Sequence, residues 1–257
     1  MSEVAIGWWG LVLSLVLIAV TIAVSLSYKL KLEQSLVVAT LRAIGQLVLA
    51  GWALTLILDK DASAIYAWLW VGAMIPAAAL SAKRRERRLP GLAVTTAIGY
   101  VLGLGVSLVT VFALDIMPLE NRVLVPVAGM IVGNSLKVVV VAATRLVDAV
   151  TEQKGQIEAM LALGIDQRKA LNRVRIEALR LALLPQIETT RSVGIVFLPG
   201  VLTGLILAGI DPLDAALIQA SVLFLILGSA AITGLVVVIA GANRFITEDQ
   251  RLAIPEL

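Results

Sequence analysis

The stretch TRLVDAVTEQKGQIEAMLALGIDQRKALNRVRIEALRLALLP, residues 144–185, decides how this chain is read. It carries charge, helical periodicity and the element Glu158-Ala159-Met160-Leu161-Ala162-Leu163-Gly164. Everything around it reads as lipid-embedded helix. The chain is 60% hydrophobic and only 15% charged, with a mean hydropathy of +0.98. Ordinary globular domains are about half apolar and a quarter charged. A soluble fold of 257 residues has no interior for apolar runs of this length.

About 20 apolar residues cross the hydrocarbon core. Seven stretches qualify: 5–27, 36–58, 64–82, 91–114, 123–143, 187–209 and 215–241. Their connections are polar or turn-rich, as in Tyr28-Lys29-Leu30-Lys31, Asp59-Lys60-Asp61, Lys83 to Arg88, Asp115 to Arg122 and Asp211-Pro212. Backbone groups in lipid must be satisfied internally, so the spans are helices. The expectation is an all-α polytopic membrane protein of about seven transmembrane helices. Residues 1–257 form one transmembrane domain, with 144–185 as a cytoplasmic helical excursion inside it.

The basic residues orient it. Lys29, Lys31, five bases in Lys83–Arg88, seven between Arg145 and Arg180, Arg244 and Arg251 fall on one side; Lys60 and Arg122 fall on the other. That bias puts the N-terminus outside and the C-terminus in the cytoplasm of a multi-pass plasma (inner) membrane protein. The first span lacks a positive n-region and a small-residue cleavage site, and is expected to be a retained helix. Trp8-Trp9 and Tyr66, Trp68 and Trp70 fall near outer span ends, where an aromatic belt is expected. The basic residues sit in short blocks between apolar runs, which is not a nucleic-acid signal.

Polar residues inside the spans mark candidate path positions. Arg42 and Gln46 share a face of the second span; Asn134, Ser135 and Lys137 lie in the fifth; Glu188 and Arg191 lie near the inner end of the sixth; Gln219 lies near the outer end of the seventh. Intramembrane charges are costly and therefore pair or line a polar path. The plainer reading has Arg42 and Lys137 snorkelling and Glu188 with Arg191 as a local helix pair. Gln46 and Asn134 fit either a path or interhelical glue. Leu198-Pro199-Gly200 breaks the sixth span. Gly129-xxx-Gly133 and Gly200-xxx-Gly204 supply spacings expected to give close helix packing. A discontinuous helix beside a polar amide is also how transporters build a midplane site. That makes Pro199, Gly200 and Asn134 the main path candidates.

Within the excursion, Ile157, Met160, Leu161 and Leu163 form an apolar stripe opposite Glu152, Gln153, Lys154, Gln156 and Glu158. Gly164 suits a C′ position, Asp166 can cap the next helix, and Pro185 is expected to interrupt it near the membrane. The second helix is basic through Arg168, Lys169, Arg173, Arg175 and Arg180. An interfacial helix on anionic lipid is one reading of 166–181.

Glu158-Ala159 followed by Gly164 resembles the cytoplasmic coupling loop of ABC-transporter permeases, with Met160 in place of that pattern's second alanine and Pro185 several residues late. Four blocks together resemble the FetB-type permease family, the bacterial iron-export permeases related to plant aluminium-tolerance half-transporters. They are Leu41-Arg42-Ala43-Ile44-Gly45-Gln46-Leu47; Pro126 to Ser135; Leu161-Ala162-Leu163-Gly164; and Val193 to Gly200 with Thr203-Gly204 and Ala208 to Pro212. The resemblance covers about residues 10–245. It implies a half-transporter with seven spans or nearly so. Two copies pair, each docking a cytoplasmic ATP-binding-cassette subunit through Glu158, Ala159, Leu161, Leu163 and Gly164. ATP and Mg belong to that subunit, and this chain has no cofactor of its own. It has no G-x-x-x-x-G-K-[ST] phosphate loop, which agrees with a separate engine. The family's methionines after Pro-Gly and Gly-Asn are replaced here by Val201, Leu202 and Leu136. With no Cys or His, ligands for a metal are oxygen-based or Met130, and no metal-ligand set is assigned.

The leading expectation is therefore an ABC-type permease subunit exporting iron, another metal ion or a small solute, with no covalent chemistry of its own. The substrate path is assigned to Arg42, Gln46, Asn134, Ser135, Glu188, Pro199, Gly200 and Gln219. The alternative is an ATP-independent secondary transporter or channel using Arg42, Lys137 and Glu188. An intramembrane enzyme or receptor is a third class. No Ser-His or Cys-His set supports the enzyme, and the last span lacks the lysine of a retinal protein.

Overall fold

The computed structural model describes residues 8–57, 63–247 and 249–254. The turn Asp59-Lys60-Asp61, the start of the first expected span and the side chains of Trp8 and Trp9 lie outside the described residues. The described residues form α1 (Trp8–Ser27), α2 (Glu33–Ile57), α3 (Ala64–Arg85), α4 (Leu92–Ala113), α5 (Asn121–Glu152), α6 (Lys154–Ala162), α7 (Gln167–Ala170), α8 (Asn172–Ser192), α9 (Gly200–Leu207) and α10 (Pro212–Asn243). The chain divides into two compact units, Met1–Ala62 and Ser63–Leu257.

In the first unit α1 packs on α2. The turn between them is closed by Ser25, which is 1% exposed. Its hydroxyl donates to Glu33 Oε1 at 2.8 Å and accepts the Leu32 N–H at 3.2 Å. Glu33 thereby stands in the first turn of α2, where a carboxylate suits the helix dipole.

In the second unit α10 packs on α4, α5, α8 and α9, while α5 also packs on α8 and α3. One core cluster joins Ala82, Leu89 and Leu92, the C-terminal half of α5 (Val138 to Val150), the start of α8 (Leu171 to Ala182) and the end of α10 (Ala230 to Phe245). That arrangement fixes direction: α3, α5 and α10 run towards this end, and α4 and α8 run away from it. The basic residues Lys83, Arg84, Arg88, Arg175 and Arg244 gather there too. At 1.5 Å per residue, the 32 residues of α5 and of α10 each reach about 48 Å. A hydrocarbon core is only about 30 Å thick, so both helices project beyond it.

Among the described residues five helices, α2, α3, α4, α5 and α10, are long and apolar enough to cross a bilayer. Of about seven expected spans, these five stand as single long apolar helices. α1 is itself a 20-residue helix, Trp8–Ser27. The expected span 187–209 is broken, as Leu198-Pro199-Gly200 implied, but the break begins earlier, at Val193. α8 ends at Ser192, Val193 to Pro199 leave the helical path with Gly194 at φ +90°, and α9 adds eight residues. A Val193–Phe197 bridge holds this break. Pro185 is a second correction. It lies inside an unbroken α8, because Ala178, Ala182 and Gln186 are buried on both sides of it and carry the helix through.

Close helix approach also falls elsewhere than expected. A Cβ on Gly133, Gly200 or Gly204 would meet nothing within 4 Å, and one on Gly129 would meet only Met74 at 3.6 Å. The tight seam is α4 against α10. A Cβ on Gly103 would fall 2.6 Å from Thr233 Oγ1 and 2.8 Å from the Ser229 carbonyl; one on Gly99 would fall 3.1 Å from the Thr233 carbonyl. Thr233 donates to the Gly99 carbonyl at 3.2 Å and Ser107 to that of Leu225 at 3.3 Å. Glycine here lets the backbones approach, and hydroxyls bond across the seam.

The α3–α4 elbow is latched by charge. Arg88 grips Glu86 through Nε to Oε1 at 3.0 Å and Nη2 to Oε2 at 2.8 Å, and its Nη1 reaches Asp148 Oδ1 at 3.0 Å. Burial works against the Glu86 carboxylate, but hydrogen bonds from Arg88 and Thr144 prevail and hold it below the ordinary range.

Candidate functional site

The α6–α7 hairpin follows from local chemistry. α6 ends on Leu163, and Gly164 takes φ +76° beyond it. Gly164 N–H bonds the Leu161 carbonyl at 2.9 Å and Ile165 N–H that of Met160 at 3.0 Å. This is the paired closure of a Schellman end. Asp166 Oδ1 then accepts the Arg168 N–H at 2.7 Å and caps α7. Ile157, at 2% exposed, sits in the core; Met160 and Leu161 pack against it. Glu158, Ala159, Leu163 and Gly164 remain exposed, and Leu163 is 80% exposed. Glu158 faces Lys154 at 3.9 Å, a solvated pair of small energetic weight. The hairpin is thus anchored on one face and presents a carboxylate, a leucine and an open glycine on the other.

Beside it, α8 packs on α5 and α10. Arg175 donates to Asn243 Oδ1 of α10. Its Nε is shut off from solvent without a partner. Burial pushes this guanidinium below its ordinary value, neighbouring Arg168 adds to the effect, and Asp166 opposes it. A cavity of about 390 Å³ lies between α8 and α10 at this point.

The expected path residues occupy separate places. Arg42 and Gln46 lie exposed on α2 in the first unit. In the second unit, Asn134 turns its Nδ2 back to the Met130 carbonyl at 2.8 Å, half-buried. Ser135 is fully buried with its hydroxyl unpartnered, and Gln219 on α10 is 4% exposed with Oε1 unpartnered. Glu188 and Arg191 pair at 2.8 Å, both exposed. Lys137 is exposed. Pro199 is the N-cap of α9, which packs on α10. Among the described residues, the Glu188–Arg191 contact is the one hydrogen bond or ion pair that joins two of these positions.

The polar groups that the sequence reading missed lie where α4 meets α5 and α10. Tyr100 donates to the Val132 carbonyl at 3.0 Å, and the buried hydroxyls of Thr96 and Ser229 have no partner. Their signal was present as the Gly99-xxx-Gly103-xxx-Ser107 spacing in α4 and Ser229-xxx-Thr233 in α10. Among the described residues, no three acidic side chains converge as a metal site.

The profile of the uncharacterised protein family UPF0014 matches residues 8–246, taking in the hairpin, the break after α8 and all of α10. The chain belongs to the UPF0014 family. Relatives align over most of their lengths. The UPF0014 membrane protein YjkA of Bacillus subtilis is 30% identical over 94% of this chain and 96% of its own. The probable iron export permease protein FetB of Escherichia coli is 30% identical over 96% and 95%. The protein ALUMINUM SENSITIVE 3 of Arabidopsis thaliana is 29% identical over 86% and 81%. No solved structure matches the chain. As a UPF0014 member it is an all-α polytopic membrane protein.

Proposed function

We propose that this UPF0014 protein is the membrane-spanning permease subunit of an ATP-binding-cassette exporter, moving iron, another metal ion or a small solute outward with ATP hydrolysed by a separate chain. The observation that carries the reading is the α6–α7 hairpin. A docking element that hands force to spans must be stiff at its root and open at its tip. Ile157 roots it in the cluster that also holds α5, α8 and α10. Glu158, Leu163 and Gly164 form its tip. A push there reaches three long helices through packed side chains. The relative FetB, named a probable iron export permease, supports the direction and the cargo.

In this reading two copies pair in the plasma membrane, N-termini outside and C-termini cytoplasmic, with the basic end of the second unit on the cytoplasmic side. Closure of two docked ATPases drives the inward-to-outward change, and the broken segment between α8 and α9 lies on the path. The test is co-purification of the full chain with a candidate ATP-binding-cassette subunit, then ATPase assay in proteoliposomes with candidate metal ions. A stable complex with substrate-stimulated hydrolysis is expected. Uptake or efflux by the chain alone, without an ATPase, would replace this reading by secondary transport.

A further inference from the structure

The cavity between α8 and α10 is graded from polar to apolar. At the basic end it is lined by Arg168, Asn172, Arg175 and Asn243; away from that end the lining turns to Leu179, Leu235 and Val238. The grading follows from register. Positions 168, 172, 175 and 179 share one face of the α7–α8 segment. α8 runs antiparallel to α10, so Arg175 meets Asn243 while Leu179 lies nearer Leu235. Its volume of about 390 Å³ falls in the range of about 300–1,000 Å³ typical of ligand pockets.

The charge in this pocket has no paired carboxylate, Asp166 acting on Arg175 only from a distance. Among the described residues neither Arg168 nor Arg175 has an ion pair, and no carboxylate lines the cavity. Arg175 spends one donor on Asn243 and keeps a solvent-shielded Nε unpartnered. A guanidinium offers five donors in a fork that fits a phosphate. The apolar half opens at Ile239 and Leu235, each 44% exposed on α10. α10 is apolar enough to cross the bilayer. A ligand that fits carries a phosphate at one end and an aliphatic chain at the other, both within one leaflet.

We propose that this groove is a binding site for an anionic phospholipid, with the phosphate on Arg168 and Arg175 and an acyl chain along Leu179, Leu235 and Val238. It is an interhelical seat at the basic end of the bundle, where anionic headgroups are recognised. It differs from general adsorption of a basic helix, which would engage Lys169 of α7 and Arg173 and Arg180 of α8 equally. The site adjoins the α6–α7 hairpin through Arg168, so an occupied groove braces α7 against α10.

Native mass spectrometry of the full chain in detergent, titrated with phosphatidylglycerol and with phosphatidylcholine, tests this. Phosphatidylglycerol is expected to bind about tenfold tighter. Arg168→Ala and Arg175→Gln should each weaken it about fivefold, the factor for about 1 kcal/mol per basic residue near an anionic lipid. Arg180→Ala should leave it unchanged. Leu235→Trp should block the chain end and abolish lipid binding while leaving inorganic phosphate binding intact. Arg175→Gln also removes the bond to Asn243, so Arg168→Ala and Leu235→Trp decide the matter if that variant misfolds. Equal binding of both lipids overturns the proposal. Displacement of phosphatidylglycerol by millimolar inorganic phosphate, with Leu235→Trp unaffected, reassigns the groove to a free anion. A dimer forming in place of the lipid-bound species reassigns it to a second copy. None of these outcomes touches the ATPase-coupled reading.

Discussion

Arg88 bonds Asp148 at 3.0 Å while its other edge holds the buried carboxylate of Glu86. The two ends of the Arg88–Asp148 contact are 60 positions apart in sequence. One side chain therefore ties the α3–α4 elbow to the projecting half of α5, just before the turn into α6. Arg244 reinforces the same elbow. It packs over Gly91, where a Cβ would fall 2.6 Å from its guanidinium carbon, and Gly91 is left-handed at φ +67°. The end that roots the hairpin is thus cross-braced by charge as well as by the apolar cluster.

Glu86 should make the protein acid-sensitive. Its folded pKa lies below the ordinary 4.5, so its contribution is complete above about 4.5 and is lost as pH falls through the lower folded value. Glu86→Gln should cost about 1–3 kcal/mol at neutral pH, because Arg88 loses a charged acceptor. The gap between wild type and variant, read as melting temperature in detergent, should shrink below about pH 4.5. A gap that stays constant down to about pH 3 would mean that folding does not lower the Glu86 pKa and that its charge adds no net stability.

Gly103→Ala should destabilise the second unit by about 1–3 kcal/mol, since the added methyl meets Thr233 Oγ1 at 2.6 Å and a backbone carbonyl at 2.8 Å. Gly133→Ala meets nothing within 4 Å and should change stability by no more than about 0.5 kcal/mol. Thermal unfolding of the two variants separates them. Equal losses would show that the α4–α10 seam is not the tight one.

That contrast explains what the sequence could tell. Apolar run length located the spans of α2 to α5 and α10 well, because lipid imposes length and hydropathy locally. At 187–209 Pro199-Gly200 announced a break, but the high apolar average hid that it starts at Val193, before the left-handed Gly194. Run length could not foresee that packing at Ala178, Ala182 and Gln186 would carry α8 through Pro185. A glycine spacing tells of close approach only when the facing helix offers small residues. Ser229 and Thr233 offer them to Gly103; Met74 is all that nears Gly129. The partner is a tertiary fact. The hairpin was legible because Gly164 and Asp166 act on their own neighbours. The Arg88–Asp148 link, which joins distant segments, was not.

Glu158→Arg should leave melting unchanged, since its exposed pair with Lys154 is worth at most about 1 kcal/mol. Under the proposed function it should weaken ATPase binding at least tenfold, as loss of a charged interface contact typically costs about 2–5 kcal/mol. Gly164→Val is a less clean probe, because φ +76° alone strains a branched residue by about 1–2 kcal/mol. Co-purification yield and coupled hydrolysis are the readouts. Wild-type behaviour of Glu158→Arg in both would remove the carboxylate from the docking surface.

The break between α8 and α9 should depend on Gly194 more than on Pro199. Pro199 stands outside the helix at φ −62°, ψ 145°, a conformation alanine also adopts. Gly194 stands at φ +90° and donates its N–H to the Phe197 carbonyl at 3.0 Å. Pro199→Ala should therefore leave amide exchange across 193–198 as fast as in the wild type. Gly194→Ala should distort the Val193–Phe197 closure at a cost of about 1–2 kcal/mol. If the segment lies on the path, Gly194→Ala slows transport in proteoliposomes more than Pro199→Ala does. Strong new protection at 193–198 in Pro199→Ala would mean that proline alone keeps the segment from becoming helix, and that the turn at Gly194 is its consequence.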